Sequence, residues 1–195
     1  MQSLVNYIVL NSPSIKSMGL FHGKIGVALA LYLFGKRKND QLLCEYSSEF
    51  VRGIKFDATN NDLSLENGFA GIALGYTLLY KYGMFYENLN ELLGDIDEKI
   101  MELCPIRFKD LSFRTGLSGI KCYIDSRKAI EQPLTSISKD FIDEVEAVVG
   151  KVNNKDVISS LFEALRSPNF AMSDYVGMPL GIDNGSSQFL LNECR

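Results

Sequence analysis

Two apolar patterns alternate along this chain, and both have the helical period. From Lys24 to Phe34 and from Phe69 to Tyr82 the residues are apolar on nearly every side, the pattern of a helix buried all round, and Leu117 to about Ile130 takes the same place in a third unit. Each such run is followed by one with a single apolar stripe. Over residues 41–54 the stripe is Leu42, Leu43, Tyr46, Phe50 and Ile54. The next, Leu89, Leu92, Leu93, Ile96, Ile100 and Leu103, keeps helical spacing throughout, and the third is Phe141, Ile142, Val145 and Val149. The pairing predicts helical hairpins, each a buried inner helix and a half-exposed outer one. Gly35, Gly83 and Pro105 read as helix stops. Residues 1–10 form a short leading helix, and Val157, Ile158, Leu161, Phe162 and Leu165 mark an additional one ended by Ser167-Pro168-Asn169. No long strand-like alternation occurs, so the predicted fold is all-α.

A repeated motif stands at the head of the inner helices. Asp62-Leu63-Ser64-Leu65-Glu66-Asn67-Gly68-Phe69-Ala70-Gly71-Ile72 returns 48 residues later as Asp110-Leu111-Ser112-Phe113-Arg114-Thr115-Gly116-Leu117-Ser118-Gly119-Ile120. Upstream, Phe21-His22-Gly23-Lys24-Ile25-Gly26 keeps both glycines, and downstream Asp183-Asn184-Gly185 keeps the first, with Gln188 where the second should be. The motifs fall near 19–29, 62–74, 110–122 and 180–191, and 1–195 reads as a single repeat domain. Gly23, Gly26, Gly68, Gly71, Gly116, Gly119 and Gly185 are assigned structural roles. The first glycine of a motif suits a positive φ or a close backbone approach at a loop-to-helix junction, and the second suits close packing of neighbouring inner helices. Gly71→Leu is therefore expected to overpack its surroundings.

With 46% hydrophobic and 23% charged residues the chain is an ordinary globular protein rather than a disordered one. A net charge of −4 and one dense basic run, Lys36-Arg37-Lys38, offer no surface for a phosphate backbone, so nucleic acid is excluded as a partner. Gly-x-x-Gly also occurs in the nucleic-acid clamp of KH domains, but two of the three full copies carry no basic residue and no strand pattern surrounds any. The N-terminus lacks a basic region and a cleavage site, no run is long enough to span a bilayer, and Cys44, Cys104, Cys122 and Cys194 are scattered without a C-x-x-C pair. These features predict buried thiols and a cytoplasmic location.

Repeated glycine motifs at the heads of apolar inner helices, one hairpin apart, resemble the lanthionine synthetase C-like, or lantibiotic cyclase, family. The resemblance covers the chain from Gly19 onward. It implies an α/α toroid of inner and outer helices and a part in adding cysteine thiols to dehydrated residues of a precursor peptide, with that peptide or a modification enzyme as partner. Members are about twice as long, so four hairpins correspond to about half a toroid. The flanks of the end helices, at Val27, Leu31, Phe189 and Leu190, are then expected to be uncovered and to favour association with another copy or a complementary half.

The resemblance also implies zinc, held by a cysteine two positions before one motif's first glycine and by Cys-His directly before another's. Here those pairs are Phe21-His22, Glu66-Asn67, Arg114-Thr115 and Asp183-Asn184. One histidine and no cysteine cannot make a site that needs three protein ligands, so no metal and no other cofactor is predicted for this chain. His22, Glu66, Asn67, Arg114, Thr115, Asp183 and Asn184 are assigned instead to a polar binding rim, and catalytic residues are left unassigned. Three functions follow: a cyclase-like protein of peptide modification without its own zinc site, a non-catalytic scaffold for a peptide or protein, and, ranked last, a glycoside hydrolase using Glu66 and Asp183 as its two carboxylates.

Overall fold

The computed structural model describes residues 1–54, 61–130, 132–150 and 157–194. All regular structure among them is helical: α1 (Gln2–Asn11), α2 (Lys24–Lys38), α3 (Gln41–Arg52), α4 (Phe69–Lys81), α5 (Leu89–Leu92), α6 (Gly94–Met101), α7 (Leu117–Lys128), α8 (Lys139–Val149), α9 (Val157–Ala164) and α10 (Ser187–Asn192). Helices α10, α2, α4 and α7 lie side by side in that order as an inner layer, and α3, α6 and α8 cover α2, α4 and α7 from outside. This is the hairpin repeat of an α/α toroid-type fold. Burial follows the predicted division. In α4 every residue from Phe69 to Leu79 is buried, whereas α3 buries only Leu43, Ser47 and Val51.

Several boundaries differ from the sequence reading. Helix α2 runs through Gly35 and ends at Asn39, whose φ of 55° closes it in the left-handed region. Gly35 serves packing instead, since a Cβ there would stand 2.9 Å from Cys44 Sγ on α3. The stripe from Leu89 to Leu103 is not one helix but two, broken at Leu93. Leu42, expected on the inward stripe of α3, is 78% exposed. The side chains of Val157 and Ile158 lie outside the described residues. Of the four thiols only Cys122 is buried, while Cys104 is exposed and Cys44 and Cys194 are half-buried.

The largest correction concerns the ends of the inner layer. Val27, Leu31 and Leu190 are fully buried, because α10 packs along the flank of α2. Phe189 is half-buried and meets Phe170 edge-on, with centroids 5.7 Å apart. The apolar motive for self-association at those positions is therefore absent: the fourth motif returns beside the first.

The glycines act through close approach. Gly23, Gly68 and Gly116 all have negative φ, and a Cβ on Gly68 would collide with the Asp62 carbonyl. A Cβ on Gly71 would collide first with the Leu65 carbonyl of its own motif and only then crowd Leu20 Cβ at 3.1 Å. The second glycine thus lets the loop fold down onto its helix, more than it lets helices meet. Gly71→Leu should lower the unfolding free energy by on the order of 1–3 kcal/mol. An unchanged urea midpoint would show that the loop can lift away freely.

Candidate functional site

The repeated Asp-Leu-Ser builds the turn that aims each motif. Asp62 Oδ1 accepts the Ser64 N–H at 2.8 Å while the Asp62 carbonyl accepts the Phe69 N–H at 2.9 Å. Asp110 does the same for Ser112 and Leu117. An Asx turn so placed satisfies one of the orphan N–H groups at the start of the inner helix. The loops then join one another through their backbones. Phe21 N–H donates to the Glu66 carbonyl at 2.8 Å, Glu66 N–H to the Arg114 carbonyl at 3.0 Å, and Asp183 N–H to the Phe21 carbonyl at 3.1 Å.

These links bring together the residues two places before each motif's first glycine: Phe21, Glu66, Arg114 and Asp183. Arg114 is the hub. Its Nε and Nη2 donate to the two Glu66 oxygens at 3.0 and 2.9 Å, and its Nη1 and Nη2 to those of Asp183 at 3.2 and 2.7 Å. Its guanidinium lies over the Phe21 ring, 4.7 Å from the centroid, a cation–π contact. His22 Nε2 stands 2.9 Å from Glu66 Oε1 and 3.4 Å from Asp183 Oδ2. Arg166, absent from the sequence-based rim, donates its backbone N–H to Asp183 Oδ1 and its Nη2 to Asp183 Oδ2 at 2.7 Å.

The remaining rim residues do not converge. Thr115 bonds Asp110 within its own turn, Asn184 accepts the Asn169 N–H at 2.9 Å, and the backbone of Asn67 lies against Gly19. Electrostatics follow the pairing. Glu66 is held below its ordinary range, chiefly by the Arg114 hydrogen bonds. Burial opposes ionisation of Asp183, but hydrogen bonds from Arg114 and Arg166 outweigh it and hold the group well below the usual carboxylate range. Arg114 is raised in turn, first by Glu66 and then by Asp183.

His22, Glu66 and Asp183 offer three ligand atoms within 4.8 Å of one another. Zinc chemistry requires those lone pairs to face the ion and a further position to stay open. Here Asp183 Oδ2 already accepts from Arg114 and Arg166, and Glu66 Oε1 from Arg114. An ion at this point would sit against guanidinium charge. The residues present do not fit zinc. Nor does Cys122 supply a thiolate, since burial pushes its thiol up to about 12.

The family model described as lanthionine synthetase C-like protein matches residues 2–121, more than half of the chain. The chain belongs to that family. Neither the curated proteins nor the solved structures compared with it gave a match. The matched residues take in the first three motifs and α1 to α6. The fourth motif, which supplies Asp183, lies beyond them.

Proposed function

We propose that this lanthionine synthetase C-like protein serves peptide modification without zinc catalysis of its own, its motif loops binding a precursor peptide whose rings are closed elsewhere. The observation that carries this reading is the Arg114 fork bonded to both Glu66 and Asp183, where the cyclase chemistry of the family would need metal ligands. His22 and Arg166, with side chains 35% and 65% exposed, keep the cluster open to solvent on one side and give a peptide polar groups to meet. The repeat unit, on this reading, extends through the fourth motif and makes 1–195 one domain. The packing of α10 on α2 supports that extent.

The glycosidase reading loses support from the same geometry. An acid catalyst of that class needs a carboxyl kept protonated near neutral pH, and both Glu66 and Asp183 are shifted the opposite way.

Two measurements test the proposal. Purified protein mixed with a dehydrated, cysteine-containing precursor peptide should bind it by calorimetry, and the peptide's free thiols should fall no faster than without protein. Dialysed protein should hold no stoichiometric zinc, whereas Arg114→Ala, which frees the lone pairs of Glu66 and Asp183, should gain measurable zinc affinity. Ring formation by the wild-type protein, or one zinc per wild-type chain lost on His22→Ala, would overturn the zinc-free reading. Failure to bind the peptide would overturn its peptide-binding half.

A further inference from the structure

Helix α2 carries the chain about 20 Å away from the motif loops, at about 1.5 Å per residue, and a second concave site lies at that far end. It is a cavity of about 660 Å³ lined by Leu33, Lys36 and Arg37 of α2, by Tyr82 after α4, by Phe162 of α9 and by Cys194 after α10. Its size falls within the range of about 300–1,000 Å³ usual for small-molecule sites. Leu33, Tyr82 and Phe162 are half-buried and give it an apolar floor.

Its wall carries two cations, Lys36 and Arg37, against one carboxylate, Glu163. Lys36 and Arg37 are exposed and enter no ion pair with a described residue, while their neighbour Lys38 reaches Glu193 at 3.7 Å. Glu163, also on the wall, has an interaction partner of its own. The Cys194 thiol donates to the Leu190 carbonyl at 3.2 Å, and burial raises it, so it adds no negative charge at neutral pH. Cations in the last turn of a helix complement its dipole, which accounts for a basic run ending α2. It does not account for an open apolar cavity directly beside that run.

We propose that this cavity binds a small amphipathic anion, an apolar chain or ring ending in a carboxylate or phosphate, with the apolar part against Leu33, Tyr82 and Phe162 and the anionic group between Lys36 and Arg37. The site is separate from the motif loops and does not depend on the function proposed for them.

Calorimetric titration with decanoate, decylamine and inorganic phosphate tests it on the whole chain, beside the double variant Lys36→Gln/Arg37→Gln. Both substituted side chains are exposed, so the variant should stay folded, its unfolding midpoint lowered only by the lost dipole complement of α2. Decanoate should bind one per chain and lose roughly tenfold or more in affinity in the variant, the scale of losing charged hydrogen bonds. Decylamine and phosphate should bind far more weakly. The proposal is overturned by any of four results: no decanoate binding, equal affinity for decylamine, phosphate binding as tight as decanoate, or unchanged decanoate affinity in the double variant.

Discussion

Arg127→Met should lower the unfolding free energy by about 3–5 kcal/mol, the usual cost of removing one partner from a buried ion pair. Arg127 is 1% exposed and Asp97 fully buried. Arg127 Nη1 donates to Asp97 Oδ2 at 3.3 Å and to Tyr123 Oη at 2.8 Å, and Nη2 to Asn90 Oδ1 at 2.8 Å. Tyr123 and Ser136 each donate a hydroxyl to Asp97. The network ties α7 to α5, α6 and the loop before α8. Without Arg127 the Asp97 carboxylate would be left in the core without its counter-charge.

The pH dependence gives a second signature of the same variant. Burial already raises Asp97 above the ordinary value despite its hydrogen bonds and the Arg127 charge, and losing Arg127 should raise it further. A carboxyl raised on folding binds its proton more tightly in the folded chain, so stability falls as pH rises through the folded pKa. The deficit of Arg127→Met should therefore narrow as pH is lowered from 7 toward about 5, still above the unfolded value of about 3.9. Adding Asp97→Leu should recover part of the loss, because removing both charges leaves nothing unpaired. Urea unfolding of the two variants at both pH values measures this. A loss below about 1 kcal/mol in Arg127→Met, or one independent of pH, would show that water reaches Asp97.

None of that network was legible in the sequence, and the reason is physical. Helical periodicity reports which face is apolar, but it does not report that the polar Lys121, Ser126 and Arg127 of α7 are buried with the apolar residues. A buried arginine looks like a solvated one until its partners, Asp97 on α6 and Asn90 on α5, are placed beside it. The hairpin grammar itself was legible, because burial on all sides and burial on one stripe leave different patterns. The stripe from Leu89 to Leu103 also shows the limit of such patterns. Apolar spacing of three and four passes across Leu93-Gly94 without a break, although the helix there is broken.

The candidate site was legible in its positions and not in its use. Motif alignment alone put Glu66, Arg114 and Asp183 at equivalent places, and the fold brings equivalent places together. What alignment could not convey is that opposite charges at those places would satisfy one another. Thr115 and Asn184 were placed on the rim by adjacency to the glycines, yet they are spent within their own loops. Arg166 belongs to no motif, and its only sequence signal is its place just before the Ser167-Pro168 stop. The packing of α10 against α2 was missed because hairpin order along the chain does not say which inner helices lie side by side.

Arg114→Met should destabilise the protein by about 3 kcal/mol, the low end for breaking a buried pair, because Arg166 still faces Asp183 and Arg114 is itself 24% exposed. Its pH signature is opposite to that of Arg127→Met. Glu66 and Asp183 are lowered on folding, so the unfolded chain binds their protons more tightly and stability rises with pH. Their contribution is fully present above the unfolded carboxyl values of about 4. It is lost as pH falls from there toward the folded values. Wild-type stability should therefore drop between about pH 5 and pH 3, and the drop should be shallower in Arg114→Met, which has less carboxylate stabilisation left to lose. Asp97 titrates in the opposite sense in both proteins and cancels from their difference. Arg114→Lys should not restore the wild-type curve, since one ammonium cannot donate in parallel to two carboxylates as the planar fork does. Parallel acid limbs for wild type and Arg114→Met in urea titrations from pH 7 to 3 would show that Arg114 does not hold the two carboxylates ionised, and would remove the argument that its charge excludes a metal.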